Sequence, residues 1–236
     1  MLNKEKHQLL MGSILRGIYS DVGISSLVGL KGGTCAYFFY NLPRFSVDLD
    51  FDLFVTDEAT KKAVFEKVGA ILKKYGEIKT SHIKKNTIFF LLSYGDKDHN
   101  IKLEISTRDI LPNLRDCFEA KEHLGIGMLT AKMDYLFAGK LVALVLRSST
   151  AMRDIFDVRY FAENKWDINA VAVKALTGKS VRDHLIDCVS VVEGVKDGEI
   201  LFGLGEMIDE KQKAWVRNNL KKEAIFQLKL YASVIK

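Results

Sequence analysis

The chain has 236 residues, 48% of them hydrophobic and 28% charged, and carries a net charge of +5. This composition predicts an ordered chain except at its ends, and a charge of this size does not by itself indicate a nucleic-acid-binding protein. No apolar stretch that would serve as a secretory signal follows the N-terminal residues, and the longest apolar segment is too short for a membrane span. The 3 cysteines lie too far apart to suggest a disulfide framework. We therefore expect a cytoplasmic protein without a membrane partner.

Two hydrophobic periodicities organise the first half of the chain. Apolar residues at helical spacing predict helices, and strict alternation of apolar and polar residues predicts strands. In chain order the predicted elements are helices over 5–19, over 35–40 and from Thr56 or Asp57 to about Tyr75, and strands over 46–55, 77–83, 86–94 and 101–106. Pro43 is expected to end the second of these helices because proline cannot continue a helix interior.

Beyond about residue 125 the strand patterns stop and only helical patterns follow. These predicted helices span 129–147, 151–163, 169–176, 181–192 and 211–234. The fold class predicted is therefore α+β, with an N-terminal α+β domain over 1–125 and an all-helical domain over 126–236. A cleft completed by the second domain is a natural place for an active site.

Three acidic residues share one face of the clearest predicted strand, namely Asp48, Asp50 and Asp52. Like charges at this spacing repel one another, while the opposite face of the strand is apolar and anchors it in a core. The acids could be solvated, or Arg44 and nearby lysines could neutralise them. A divalent cation bound by Asp48 and Asp50 would also relieve the repulsion, and carboxylate oxygens suit such an ion.

Glu104 is a candidate third acid of the same site. In the predicted strand 101–106 it lies on the polar face, opposite the apolar residues. If this strand pairs beside the acidic one, Glu104 approaches Asp48 and Asp50. Three carboxylates could then hold two Mg²⁺ ions about 3.5–4 Å apart, an arrangement used for in-line displacement at phosphorus. The alternative is an outward-facing acid that is merely solvated.

The segment Gly32-Gly33-Thr34 lies just upstream of the acidic strand. Glycines allow backbone N–H groups to approach a phosphate closely, and the start of a following helix favours negative charge. A glycine pair can equally mark a tight turn. Its position before an Asp-x-Asp strand is what favours a phosphate-binding role.

These motifs together resemble a known family. Four segments carry the resemblance: Lys31 to Thr34, Arg44-Phe45-Ser46-Val47-Asp48-Leu49-Asp50-Phe51, Lys140 to Arg147, and Arg153-Asp154-Ile155-Phe156-Asp157. They are similar to the AbiEii/MenT-type toxin branch of the DNA polymerase β-like nucleotidyltransferases. The resemblance covers roughly residues 25 to 165 and implies a polymerase β-like nucleotidyltransferase core with a mixed sheet.

The resemblance also implies roles for individual residues. Phosphate or nucleotide binding is implied for Gly32, Gly33, Thr34, Arg44, Ser46, Lys140 and Arg147. Asp48 and Asp50 would bind the metal, Lys140 would contact the triphosphate, and Asp157 or Asp154 would orient Lys140 or assist the acceptor nucleophile. Arg44 and Ser46 could instead support the acidic strand. Lys140 could be a lysine whose ammonium simply reaches solvent from an apolar helix.

The activity implied is transfer of a nucleoside monophosphate from an NTP to an acceptor hydroxyl, with Mg²⁺ or alternatively Mn²⁺. The implied acceptor is RNA, at the 3′ end of a tRNA, and the protein would be a toxin with a cognate antitoxin as partner. Two alternatives are an enzyme that attaches a nucleotide to Ser, Thr or Tyr of a protein, and a non-catalytic nucleotide-binding module.

The C-terminal segment is rich in basic residues. They are Lys211, Lys213, Arg217, Lys221, Lys222 and Lys229. A charged run of this kind is often only a solvated helix face. It would otherwise be a phosphate-contacting surface that attracts a polyanion.

Overall fold

A computed structural model of the chain describes residues 3–95, 100–109 and 111–235. The chain divides into two compact units. Unit 1 comprises Met1–Asn41 and Phe45–Ala131, and unit 2 comprises Leu42–Arg44 and Lys132–Lys236. The fold is α+β, as predicted. In the described part of the chain, no helix is both long enough and apolar enough to cross a membrane.

Unit 1 contains a mixed sheet and three α-helices. The strands are β1 (Val28–Lys31), β2 (Leu49–Leu53), β3 (Glu77–Lys84), β4 (Thr87–Ser93), β5 (Asn100–Ser106), β6 (Phe118–His123) and β7 (Ile126–Ala131). The helices are α1 (Lys4–Ser20), α2 (Gly32–Phe39) and α3 (Glu58–Leu72), and a 3-10 helix covers Leu114–Cys117. The described strands form one seven-stranded sheet in the order β3-β4-β5-β2-β1-β7-β6.

Strand β2 lies inside this sheet, where it is paired on both edges. It runs antiparallel to β1 and parallel to β5, which places backbone partners on either side. Its apolar residues Leu49, Phe51 and Leu53 are at most 1% exposed, so the alternation predicted for this strand does anchor it in the core. The strand is shorter than the predicted 46–55, and Asp48 precedes its first residue.

The helices of unit 1 follow their apolar spacing and their caps. In α1 the buried residues Met11, Ile14, Leu15 and Ile18 repeat at helical spacing and face the core. The Asn3 side chain accepts a hydrogen bond from the Lys6 amide and so caps this helix.

The cap of α3 is Asp57, one of the two residues predicted, and its side chain accepts from the Thr60 amide. This helix ends at Leu72, short of the predicted Tyr75.

The β6–β7 hairpin is absent from the sequence-based prediction, which ended the strands at about residue 125 and began a helix at 129. Its two-residue loop is Leu124-Gly125, and both residues have positive φ, 52° and 72°. This is the backbone of a type I′ hairpin turn, which usually contains Asn or Asp before glycine. Because leucine gives no such signal, the sequence does not predict this turn, and the helix predicted to begin at 129 begins four residues later.

Unit 2 contains the remaining helices. They are α4 (Met133–Leu146), α5 (Met152–Glu163), α6 (Ala170–Thr177), α7 (Val181–Glu193), α8 (Glu210–Trp215) and α9 (Lys221–Val234), with short 3-10 helices at Asp197–Glu199 and Gly205–Met207. Asn169 and Ser180 cap α6 and α7 with their side chains. A π-helical turn over Val216–Leu220 links α8 to α9, so the predicted helix 211–234 is continuous but changes phase within it.

Candidate active site

Gly32 sits where the sheet meets the helix that follows β1. Its φ is +74°, a conformation that L-residues with side chains rarely adopt. A Cβ atom at this position would lie 2.5 Å from the Asp50 Oδ2 atom. Both the backbone conformation and the close approach of Asp50 therefore require glycine here, so the glycine segment and the acidic strand are in direct contact.

Helix α2 begins at this glycine, which places Gly32, Gly33 and Thr34 in its first turn. The first amides of a helix have no carbonyl partner within the helix and carry its positive dipole end. Lys31, at the N-cap, provides no side-chain hydrogen bond to them. The first turn of α2 therefore has the backbone geometry that suits an anion.

Thr34 links α2 to the acidic segment. Its side chain is fully buried, its hydroxyl donates to the backbone carbonyl of Asp48, and it lies 3.0 Å from the Ser46 hydroxyl. Ser46 is 6% exposed. Both hydroxyls are thus engaged with each other and with the chain before β2, which is the supporting arrangement that the sequence left open for Ser46. A phosphate contact by Thr34 stays a prediction, with its backbone amide as the group placed to make it.

The strand pairing on which the Glu104 hypothesis depends is present in the structure. Strands β2 and β5 are parallel neighbours, and their register places Asp50 opposite Glu104. Lys102, two residues before Glu104, lies on the same face. Its ammonium is 3.7 Å from Asp48 Oδ2 and 3.6 Å from Glu104 Oε2, so one cation already lies between two of the carboxylates.

The donors at this face are chemically suited to a hard divalent cation, since Asp48 and Asp50 supply only carboxylate oxygens. Across residues 3–95, 100–109 and 111–235, however, no three His, Cys, Asp or Glu side chains are grouped as metal ligands. The oxygen donors of Asp48 and Asp50 thus suit a divalent cation, although these two residues do not form a complete set of metal ligands. The third ligand, Glu104, and a two-metal site stay predictions.

Asp52 was expected on the polar face of the strand with Asp48 and Asp50, but its side chain is buried. It is 2% exposed, and its carboxylate pairs with the Lys31 ammonium at 2.5 Å. Burial of a carboxylate is costly without such a partner, so this pair neutralises the third acid of the strand within the fold. The sequence contained Lys31 next to the glycines, yet its contact with Asp52 depends on the antiparallel pairing of β1 with β2.

A second charged cluster lies within unit 2 and begins with Arg44. The guanidinium makes a bidentate contact with Asp157, at 2.5 Å from Nε to Oδ1 and 2.6 Å from Nη2 to Oδ2. The two side chains are 2% and 0% exposed. The family resemblance implies nucleotide binding for Arg44, but its guanidinium is held in the interior by Asp157, which matches a supporting role better.

Lys140 joins the same cluster from helix α4. Its ammonium lies 2.7 Å from Asp154 and 2.8 Å from Asp157, and both carboxylates are fully buried. Burial alone lowers the pKa of Lys140, but the two carboxylates outweigh it and hold the pKa above its usual value. Lys140 is therefore a charged, oriented side chain, and both Asp154 and Asp157 orient it.

Asp157 stays ionised in this cluster. Burial raises the pKa of its carboxyl, but Arg44 and Lys140 outweigh that effect and the pKa is lowered. Arg147 completes the cluster, with its Nε atom 2.9 Å from Asp154 Oδ2 and its side chain 43% exposed. The three cationic and two anionic side chains of the cluster leave one net positive charge. Arg147 is the most exposed of the three cations.

Comparison with solved structures supports the fold at low sequence identity. An H. pylori protein assigned as a candidate nucleotidyltransferase superimposes with a TM-score of 0.57 at 21% identity, covering 98% of this chain and 98% of that one. The protein JHP933 from Helicobacter pylori gives 0.55 at 20% identity, covering 99% and 96%. MenT4, a nucleotidyltransferase toxin of Mycobacterium tuberculosis, gives 0.52 at 16% identity, covering 100% and 95%.

No curated protein sequence matches this chain. A sequence model of a toxin family does match it, over residues 13–228, which include both charged clusters and the glycine segment. That family is described as the nucleotidyl transferase AbiEii toxin of type IV toxin–antitoxin systems. The chain therefore belongs to the AbiEii family of nucleotidyltransferase toxins.

Proposed function

We propose that the chain uses a divalent cation, Mg²⁺ or Mn²⁺, to transfer a nucleoside monophosphate from an NTP to the 3′-terminal hydroxyl of an RNA, with tRNA as the acceptor. The bond between the α- and β-phosphates of the NTP breaks, and pyrophosphate leaves. The observation that carries this proposal is the packing of the first turn of α2 on the acidic pair. Gly32 leaves no room for a side chain against Asp50, and Thr34 holds the carbonyl of Asp48. A phosphate-binding turn and a metal-binding pair thereby share one location.

Each residue then has a role that its surroundings support. Asp48 and Asp50 hold the cation, which supplies positive charge to the triphosphate and lowers the pKa of a bound hydroxyl when present. The amides of Gly32 and Gly33 bind phosphate oxygens. Glu104 is the proposed third carboxylate, since it lies opposite Asp50.

Within unit 2, Lys140 and Arg147 are proposed as phosphate contacts. The net positive charge of their cluster supports this role, as does the partly exposed guanidinium of Arg147. Asp157 is assigned to orienting Lys140 and not to accepting a proton, because its lowered pKa keeps it ionised and a poor base.

The family assignment implies a cognate antitoxin as partner. The acceptor decides between the alternatives, since a protein-modifying enzyme and an RNA-modifying enzyme would use the same NTP site. The full chain should be incubated with Mg²⁺ and each labelled NTP in turn, with total RNA and total protein both offered. We expect label in RNA with wild type and only background with Asp48→Asn or Asp50→Asn.

Asp187→Asn is the matched control, because Asp187 belongs to a surface ion pair with Lys179. This variant should label RNA as the wild type does. Label in protein in place of RNA would favour the protein-modifying alternative. Undiminished labelling by Asp48→Asn would rule out the proposed metal site.

A further inference from the structure

His7 is a fully buried histidine in helix α1 that none of the motifs explains. Both of its ring nitrogens have partners: Nε2 lies 3.0 Å from the backbone carbonyl oxygen of Val47, and Nδ1 contacts the Tyr94 hydroxyl. The family match begins at residue 13, so His7 lies outside the region that it covers. The side chain is nevertheless hydrogen-bonded to the residue immediately before Asp48.

The partners determine which nitrogen carries the proton. A carbonyl oxygen only accepts, so Nε2 must donate to Val47, and Nδ1 is then the acceptor of the Tyr94 hydroxyl. Burial raises the pKa of Tyr94, which keeps its phenol protonated and able to donate. The His7 ring also packs edge-on against Phe45 and Tyr94, with ring centroids 5.8 Å and 5.5 Å apart. The orientation of the ring is therefore set on several sides.

The contact falls on the part of the chain where ordinary strand bonding is absent. Strand β2 begins at Leu49, so Asp48 lies outside the ladder that fixes the following residues. Two side-chain donors hold the backbone there. His7 Nε2 donates to the carbonyl before Asp48, and the Thr34 hydroxyl donates to the carbonyl of Asp48 itself. Both peptide planes that flank the Asp48 α-carbon are thereby anchored.

We infer that His7, oriented by Tyr94, is a positioning residue that fixes the backbone of Asp48 and so aims its carboxylate at the cation. The inference rests on the proposed function, because Asp48 is a metal ligand only there. His7 contacts neither the metal nor the substrate in this role. Groups that hold metal ligands in place typically change metal affinity or activity 10- to 100-fold when removed.

The test uses the full chain with three substitutions. His7→Phe keeps an aromatic ring without hydrogen bonds, His7→Gln keeps an amide donor for the Val47 carbonyl, and Tyr94→Phe removes only the hydroxyl. Mn²⁺ affinity is measured by electron paramagnetic resonance, and kcat and the KM for NTP are measured with RNA. We expect His7→Phe to weaken Mn²⁺ binding and lower kcat by about 10- to 100-fold, with KM nearly unchanged. His7→Gln should recover most of both losses, and Tyr94→Phe should fall between them.

His82→Phe and His82→Gln are the matched controls. His82 lies in strand β3 and stacks on Phe89 of strand β4, so both variants should leave every readout unchanged. If circular dichroism shows that His7→Phe does not fold, the test uses the other two variants. Mn²⁺ affinity should then fall from wild type to His7→Gln and further to Tyr94→Phe.

The inference is overturned if a folded His7→Phe binds Mn²⁺ as tightly as wild type, or if His7→Gln is as weak as His7→Phe. In either case an active wild type that is silenced by Asp48→Asn leaves the proposed function standing. A wild type that binds no Mn²⁺ and transfers no nucleotide overturns both.

Discussion

Asp157 holds two cations in the interior of unit 2, Arg44 and Lys140. Removing one member of a buried ion pair leaves the other charge without compensation, which typically costs about 3–5 kcal/mol. We expect Asp157→Asn, which preserves shape but not charge, to lower the free energy of unfolding by about this amount. Urea unfolding followed by tryptophan fluorescence measures it, since Trp166 and Trp215 both lie in unit 2.

Glu193→Gln is the comparison, because Glu193 and its partner Lys229 are both exposed, at 50% and 59%. Exposed pairs contribute about 0–1 kcal/mol, so this variant should unfold almost as wild type does. Equal losses in the two variants would show that the Arg44–Asp157 pair is no more important to the fold than a surface contact.

Gly32 and Gly178 permit a sharp comparison at the residue scale. Both have φ near +73°, but a Cβ at Gly178 would meet nothing within 4 Å, whereas one at Gly32 would meet Asp50. Gly178→Ala should therefore show only the cost of left-handed backbone, about 1–2 kcal/mol. Gly32→Ala should show that cost together with displacement of the Asp50 carboxylate.

Gly32→Ala and Gly178→Ala should differ more in activity than in stability. We expect Gly32→Ala to lose nucleotidyl transfer and Mn²⁺ affinity, because Asp50 has to move to make room for the new methyl group. Gly178→Ala should keep both while losing some stability in thermal unfolding. An active Gly32→Ala enzyme would contradict the close packing of the glycine turn on the acidic pair.

At the scale of elements, the strands with strict alternation were the most predictable. The polar face of β2 and that of β5 followed from parity alone, and their pairing then brought Glu104 opposite Asp50. The β6–β7 hairpin was not predictable in this way, because Leu124 adopts a positive φ that its side chain does not favour. The burial of Asp52 likewise depends on Lys31 from a neighbouring strand.

The basic residues of the C-terminal helices could form a solvated surface or a phosphate-contacting one, and their ion pairs show which of them are available to a polyanion. Some of their lysines are engaged by acids: Lys213 with Glu210, Lys221 with Asp197, and Lys229 with Glu193. Lys211, Arg217 and Lys222 are exposed, and no ion pair is found for them within the described residues. These three residues, the unpaired basic residues of the α8–α9 segment, are the ones that would meet a polyanion.

If RNA contacts the unpaired basic residues of the α8–α9 segment, replacing all three by glutamine should raise the KM for RNA and leave the KM for NTP unchanged. Three lost phosphate contacts should reduce the slope of log affinity against log salt by about 2, since single strands contribute about 0.7 per phosphate. The control removes the same charge from Lys73, Lys79 and Lys84 of unit 1, which are also exposed. Equal salt slopes for the two triple variants would mean that these three basic residues are only solvated and do not contact RNA.

At the scale of the whole molecule, the division of the chain is not simply sequential. Residues 42–44 belong to unit 2, although the chain on both sides of them belongs to unit 1. Arg44 ties this short segment to Asp157, which is 113 positions away, and Gln212 donates to the Pro43 carbonyl. The motif that contains Arg44 was recognisable from the sequence. Its partner was not, because no periodicity connects residues so far apart.

The Arg44–Asp157–Lys140 cluster should contribute to how the stability of unit 2 depends on pH. The folded pKa of Asp157 lies below the ordinary value of 3.8, so its stabilising contribution is complete above 3.8 and is lost as pH falls through the folded pKa. The folded pKa of Lys140 lies above the ordinary 10.5, so its contribution is complete below 10.5 and is lost as pH rises through the folded value. Between these limits the cluster stays fully charged.

We therefore expect the difference in unfolding free energy between wild type and Asp157→Asn to be constant from about pH 5 to pH 9 and to shrink in acid. The reason is that the asparagine of the variant cannot take up the proton that Asp157 binds on unfolding below its ordinary pKa. Urea titrations at a series of pH values, read through the two tryptophans, give this difference directly. A difference that stays the same below pH 3.8 would mean that Asp157 has the same pKa in the folded and the unfolded chain.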